Sequence, residues 1–418
     1  MLVRRKQRVE RSWLPASGDA ADGGGAAPVS RTMTPVIATL HHSPTEDLLG
    51  RRTARSGDAP RLLLVKLADL GDAVIVSTAL NATRETLPEF EVDLLLGSAG
   101  APLYVGDARV RRVHSFDRRL IEGCRVLSPL SLYAWGRLLW ALRRERYEVV
   151  ILAHHLTTLL GALKLASAAL ATGATVRAGL DNGRGWFLNR RVPDRGFGAK
   201  REGEYWTELV SAVAGRESRT SPSLAIQPAA LRSARALLEA ERATRPLIAL
   251  HHGLGGWIPS RGWTVEGFAQ VAALLHERTG GTVLLVGGPE EREAAQAVGG
   301  LSGVHTVVLA GRTDVPTLVA LLSLCDVFVG TDAGVMHVAA AVGVPVVSLW
   351  GPTNEAAWGP LVSPGGNAAV CLRAPDRPTP WVYVGRSMGD VRRPSDLGSL
   401  DPCVVAEAAL NILKEVDR

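Results

Sequence analysis

Only four of the 418 residues are cysteine (Cys124, Cys325, Cys371 and Cys403), and no two of them form a Cys-x-x-Cys pair. That scarcity excludes a disulfide framework and a zinc ribbon and fits a reducing compartment. Long apolar runs are missing as well. Trp13-Leu-Pro interrupts the basic N-terminus before the roughly 7 to 15 apolar residues of a secretory leader accumulate. The mildly apolar stretch from Leu156 to Ala174 contains Lys164 and is rich in Ala, Ser and Thr, which falls short of a spanning helix. A cytoplasmic chain is expected. Charge of one sign is also in short supply, since 47 Lys and Arg oppose 41 Asp and Glu for a net charge of +6. Residues 1–60 hold nine basic and six acidic side chains, so the rest of the chain is nearly neutral and a nucleic-acid partner is not expected. No Gly-x-Gly-x-x-Gly follows the first apolar run, and no Asp-x-Asp occurs anywhere. The first absence weakens a dehydrogenase reading, and the second removes the usual carboxylate grip on a magnesium-bound diphosphate. The histidine pairs His41-His42, His154-His155 and His251-His252 lack a completing carboxylate spacing, so no metal site is expected.

What is present is a series of short apolar runs: Leu62 to Val65, Val92 to Leu96, Val149 to Leu152, Leu247 to Leu250, Val283 to Val286, Thr306 to Leu309, Val327 to Val329 and Val346 to Leu349. Uninterrupted runs of this length mark strands buried on both faces, and helical stretches lie between most of them. The alternation predicts an α/β protein with parallel sheets covered by helices on both sides. Residues 1–59, with their Gly- and Ala-rich run and scattered prolines, read as a disordered tail. The series breaks between Gly215 and Arg245, where an Ala-rich helix from Ala229 to Glu241 is expected. The division is therefore a domain over 60–225, a second over 240–400, and a closing helix over 401–418 that opens at Pro402.

Four constellations carry chemistry. Lys66-Leu-Ala-Asp69-Leu-Gly71-Asp72 follows the first strand, where open sheets bind ligands. Gly71 permits a close backbone approach, and Asp72 either caps the next helix or faces a ligand. His251-His-Gly-Leu-Gly-Gly-Trp-Ile-Pro-Ser260-Arg261-Gly-Trp263 places glycines and an arginine ahead of a helix starting near Thr264, a combination suited to a phosphate. Thr331-Asp332-Ala333-Gly334-Val-Met-His337 sits between two strands and opens a helix whose first amides offer an anion site; His337 either reaches that ligand or packs. Gly287-Gly-Pro-Glu290-Glu291-Arg-Glu293 ends a strand in carboxylates, which bind ribose hydroxyls or stay in water. A fifth stretch, Leu130 to Arg146, interleaves Tyr133, Trp135 and Trp140 with Arg137, Arg143, Arg144 and Arg146. It is either a core helix with a solvated face or a peripheral contact with the inner membrane surface.

Taken in order, Val65-Lys-Leu-Ala-Asp-Leu-Gly-Asp-Ala-Val, Ser260-Arg-Gly-Trp263, Gly287-Gly-Pro-Glu, Ala310-Gly-Arg-Thr, Thr331-Asp-Ala-Gly-Val-Met-His337 and Leu349-Trp-Gly-Pro-Thr353 resemble the heptosyltransferases of glycosyltransferase family nine. The resemblance runs from about residue 61 to the end. It implies a GT-B fold, two Rossmann-like doubly wound domains facing a central cleft, and no cofactor beyond a nucleotide-sugar donor, ADP-heptose in the family. It implies an inverting, metal-independent transfer to a glycan, a lipid-linked glycan or a small-molecule hydroxyl. Asp72 matches the family's proposed base and Arg261 its diphosphate contact. Asp332, Ala333, Gly334 and His337 match its donor phosphate loop, with Gly71, Ser260, Thr331 and Thr353 alongside. One of Glu290, Glu291 or Glu293 would meet the donor ribose. His154 and His155 stand where the family carries acceptor contacts. The rival readings are a GT-B nucleotide-sugar epimerase and a non-catalytic nucleotide-sugar or glycan-binding protein.

Overall fold

The computed structural model describes residues 59–122, 128–253, 261–361, 368–376, 379–387, 389 and 397–416. Nearly all of the expected tail, and Ser260, lie outside them. Two six-stranded parallel sheets form the body. The first takes β1 (Arg61–Lys66), β2 (Glu91–Gly97), β3 (Arg112–Phe116), β4 (Val149–Leu152), β5 (Val176–Asp181) and β6 (Arg190–Pro193) in the order β3-β2-β1-β4-β5-β6. The second takes β7 (Leu247–His251), β8 (Thr282–Leu285), β9 (Thr306–Val308), β10 (Val327–Thr331), β11 (Val346–Trp350) and β12 (Ala369–Arg373) in the order β12-β11-β10-β7-β8-β9. Every pair is parallel; β1 registers Leu62 against Val92 on one side and Val149 on the other. All eight expected strands are there.

Burial explains why β1 lies at the centre. Leu62, Leu63, Leu64 and Val65 lose all solvent contact, each side chain contributing about 1.5–3 kcal/mol. Even and odd positions feed the cores on opposite faces of the sheet, which only a strand covered on both sides requires. The covering helices are α1 (Leu70–Ile75), α2 (Ser77–Thr86), α3 (Pro129–Arg144), α4 (Leu159–Thr172), α5 (Glu202–Ala214) and α6 (Pro228–Ala240) before β7. After it come α7 (Val265–Thr279), α8 (Arg292–Ser302), α9 (Val315–Leu322), α10 (Gly334–Ala341), α11 (Glu355–Trp358) and α12 (Pro402–Val416). Thr264 caps α7 by accepting from the Gly267 amide at 3.0 Å, which fixes the start of that helix where the sequence pattern predicts it. The two halves meet where α1 packs on α10 and α6 on α9. A further clasp joins them: Phe197 and Gly385 exchange backbone hydrogen bonds, and the Arg201 guanidinium donates to the Gly359 and Pro360 carbonyls.

Candidate active site

In each sheet the first strand is flanked by the second on one side and the fourth on the other. The connections therefore diverge between β1 and β4 and between β7 and β10, leaving a crevice at the carboxyl ends of those strands. The turn after β1 runs into one crevice and the turn after β10 into the other, and the packing of α1 on α10 brings them face to face.

Asp72 stands in the first turn of α1 but does not cap it; that place belongs to Asp69, which makes no side-chain capping bond. Its carboxylate instead lies 3.0 Å from the Lys66 ammonium, which is almost fully buried and sits 4.4 Å from the Trp206 ring centre. Enclosure by protein works against a charge on Asp72. The charge and hydrogen bond of Lys66, with help from His154 and His337, outweigh it and hold the carboxyl below its usual range. Asp72 is thus an oriented carboxylate, ionised at neutral pH.

From the other half, Asp332 follows β10 and Ala333 is the N-cap of α10, so the start of that helix opens toward Asp72. The Arg261 Nε stands 3.5 Å from Asp332 Oδ2 and has no hydrogen-bond partner among the described residues. His337 lies one turn into α10, 4.0 Å from Asp332; burial lowers its pKa, so the ring is neutral at pH 7. Asp69, Gly71, Asp72, Arg118, Arg261, Asp332, Ala333, Gly334, His337, Trp358 and Tyr383 together line one pocket of about 130 Å³. That is small against the 300–1,000 Å³ of pockets that enclose a whole ligand, so it has room for the reacting end of one.

Three of these lining residues belong to none of the sequence motifs. Arg118 follows β3 and pairs with Asp69 at 2.9 Å. Trp358 and Tyr383 form an aromatic wall, their ring centres 4.6 Å apart, with Phe197 behind both. Tyr383 holds φ at +57°, a conformation costly for a bulky side chain and tolerated here because the Phe197 and Trp358 rings and the backbone clasp surround it.

Glycine is required where the halves touch. A Cβ on Gly71 would lie 2.7 Å from His337 Cδ2, and one on Gly334 would lie 2.9 Å from Leu70 Cβ and 3.0 Å from the Gly71 nitrogen. Gly334→Ala therefore has to push the backbones of α1 and α10 away from each other. We expect it to cost about 1–3 kcal/mol and lower the melting temperature in scanning calorimetry; melting at the wild-type temperature would show that the halves do not close as described.

Other sequence candidates lie apart from this pocket. Thr331 and Thr353 are fully buried and not part of its lining, each with a hydroxyl unpartnered among the described residues. Glu290 and Glu293 are exposed. Glu291 is tied to His251 Nε2 at 3.2 Å and accepts from the Gly288 amide at 2.7 Å. Burial would raise its carboxyl, but these two bonds and the charge of His251 hold it at about 2. His154 accepts the Leu67 amide on Nε2 at 2.8 Å, pinning the turn after β1, and burial pushes its pKa down to about 3.

His155 opens onto a second cavity, of about 510 Å³, with Thr157, Asn182, Arg184, Asp194, Phe197 and Arg386 around it. Its Nδ1 donates to Asp194 and its Nε2 to Glu202, both at 3.0 Å. Ionised carboxylates only accept, so both ring nitrogens must carry protons. Burial opposes that charge, the two carboxylates more than restore it, and the His155 pKa is pushed up to about 9. The cavity shares the Phe197–Gly385 clasp with the aromatic wall of the first pocket.

A family model described as glycosyltransferase family 9 (heptosyltransferase) matches residues 135–382, more than half the chain. The protein belongs to glycosyltransferase family 9. Within the family it is 35% identical over 101 residues to lipopolysaccharide heptosyltransferase 3 of Escherichia coli, a stretch covering 23% of this chain and 29% of that protein. It is 33% identical over 149 residues to lipooligosaccharide heptosyltransferase 2 of Haemophilus influenzae, covering 34% and 42%. The chain thus spans less than half the length of these relatives. Lipopolysaccharide heptosyltransferase 1 of Pseudomonas aeruginosa is matched more widely, 25% identical over 70% of this chain and 79% of that one. The solved structure of the Escherichia coli ADP-heptose heptosyltransferase II superposes with a TM-score of 0.65 at 19% identity, covering 86% of this chain and all of that one. The family 9 protein therefore has the GT-B fold, its two Rossmann-like halves being the sheets around β1 and β7.

Proposed function

We propose that this family 9 protein transfers a sugar, heptose from ADP-heptose, to a hydroxyl of a lipopolysaccharide-type glycan, with inversion and without a divalent metal. The observation that carries the reading is the pocket to which one half contributes an oriented carboxylate and the other half an arginine and a helix start. Asp72 takes the proton of the acceptor hydroxyl as its oxygen attacks the anomeric carbon. Arg261, Arg118 and the first amides of α10 face the position where negative charge grows on the departing diphosphate. One carboxylate and a direct displacement give inversion. An epimerase would need an acid and a base together on the donor side, whereas Asp72 stands on the opposite half.

Calorimetric titration with ADP, UDP, GDP and their sugars, with magnesium and with chelator, tests the reading. ADP is expected to bind at least about tenfold more tightly than UDP or GDP, a difference of about 1.4 kcal/mol, and equally in chelator. A UDP or GDP preference would contradict the donor assignment, and a magnesium requirement would contradict the metal-independent step.

A further inference from the structure

We infer that the outer face of α3 and α4 is a docking surface for an anionic lipid bilayer. The two helices cover the same face of the first sheet and pack on one another, with the Trp135 indole donating to Ser167 at 3.1 Å. Their outward sides therefore form one surface. It is unusually apolar: Leu130 is 67% exposed, Tyr133 64%, Trp140 63% and Leu159 64%, with Leu132, Leu160 and Leu163 also open to solvent. Single exposed apolar residues are ordinary, but a cluster across adjoining helices marks a contact surface.

Charge identifies the occupant. Neither helix contains an Asp or Glu, and α3 carries Arg137, Arg143 and Arg144 on its exposed sides. Tyr133, Arg137, Trp140 and Arg144 follow one another at helical spacing along the outermost stripe. The Arg137 guanidinium lies 5.9 Å from the Tyr133 ring centre and that of Arg144 4.6 Å from Trp140. Aromatic rings alternating with arginines suit the headgroup level of a membrane, where the rings enter the acyl boundary and the guanidiniums meet lipid phosphates. Among the described residues no helix is long and apolar enough to cross a membrane, so the contact is peripheral.

The surface is continuous with the 510 Å³ cavity. Each helix runs back against its strands, so its first turns lie at the strands' carboxyl ends, beside the crevice. Thr157 in the cavity wall is followed directly by the cap and first turn of α4 with Leu159 and Leu160, and Arg184 in that wall stands two residues from Trp186, which is 58% exposed. A lipid-borne acceptor with its glycan in the cavity would leave its acyl part over these apolar side chains. This last step rests on the glycosyltransferase reading; the charge and exposure of the surface do not.

The test is co-sedimentation of the full chain with phosphatidylcholine vesicles, with and without about 30% phosphatidylglycerol. The chain is expected on the anionic vesicles only, and less so as salt rises. Arg137→Gln with Arg144→Gln weakens that binding about fivefold for each arginine removed. Tyr133→Ser with Trp140→Ser abolishes it. ADP binding by calorimetry stays at the wild-type value in both variants, which separates loss of docking from loss of fold. Equal binding to neutral and anionic vesicles, or wild-type binding by both variants, would overturn the inference. So would a concentration-dependent dimer that disappears on Trp140→Ser, because the face would then belong to a second copy. Vesicle binding needs no turnover, so its failure leaves the proposed reaction untouched, and failure of ADP to bind leaves the docking test intact.

Discussion

Asp72→Asn lowers kcat by about two to four orders of magnitude while leaving donor affinity close to wild type. The asparagine keeps an oxygen that accepts from the buried Lys66 ammonium, so the substitution removes proton acceptance and the counter-charge while retaining the hydrogen bond. Asp72→Ala is a poorer test, because Lys66 is then left with only the Trp206 ring for company and stability falls along with the rate. Since Lys66 holds the Asp72 carboxyl below its usual range, Asp72 is ionised throughout the neutral region and weak as a base. Its contribution therefore comes from position more than from basicity, and the acid limb of the rate profile is expected below the ordinary carboxylate range. Steady-state transfer by the Asn variant within about threefold of wild type would remove Asp72 from the mechanism.

The second large effect concerns stability. His155 bridges Asp194 and Glu202, with all three side chains at most 6% exposed. His155→Leu would leave two buried carboxylates facing each other without their cation, at a cost of about 3–5 kcal/mol at pH 7. The loss is smaller near pH 5, where the carboxylates can take up protons instead. The wild-type sign is the opposite of the usual carboxylate case. A histidine whose folded pKa is about 9, against an ordinary 6.5, stabilises fully below 6.5, and that contribution disappears as the pH rises through 9. Asp194, whose pKa is lowered, acts the other way: its contribution is present above the ordinary carboxylate pKa and is lost as acid is added. Denaturant unfolding of the wild type from pH 6 to 10 should show stability falling by about 3 kcal/mol, a slope that His155→Gln flattens. A wild-type profile flat across that range would mean the bridge is not an imidazolium.

The central strands were legible because they are buried on both faces and so read as unbroken apolar runs. β3, β6 and β12 escaped that criterion for the converse reason: all three are sheet edges with half-exposed patterns, and β6 is spelled Arg-Arg-Val-Pro. β5, next to the edge, is interrupted by Arg177, whose guanidinium reaches the Phe187 and Ala174 carbonyls. The site divides in the same way. Asp72, Arg261, Asp332, Gly334 and His337 could be picked out because each lies in a strand-to-helix turn at a switch point or in the first turns of the helix that follows it. Arg118, Trp358 and Tyr383 could not, because they arrive from segments whose place beside those turns depends on the docking of the two halves. The role of Lys66 was hidden by its membership in the same short motif, and that of His155 by carboxylates 39 and 47 residues away in sequence.

The two halves contribute different functions to one reaction centre, and the proposed mechanism depends on that division. Titrating ADP-heptose into Asp72→Asn and Arg261→Gln by calorimetry addresses it most directly. Wild-type affinity is expected for Asp72→Asn and affinity at least about tenfold weaker for Arg261→Gln, a loss of about 1.4 kcal/mol or more on removing a charged phosphate contact. The reverse pattern, with affinity lost at Asp72 and retained at Arg261, would place the donor on the first half and contradict the division.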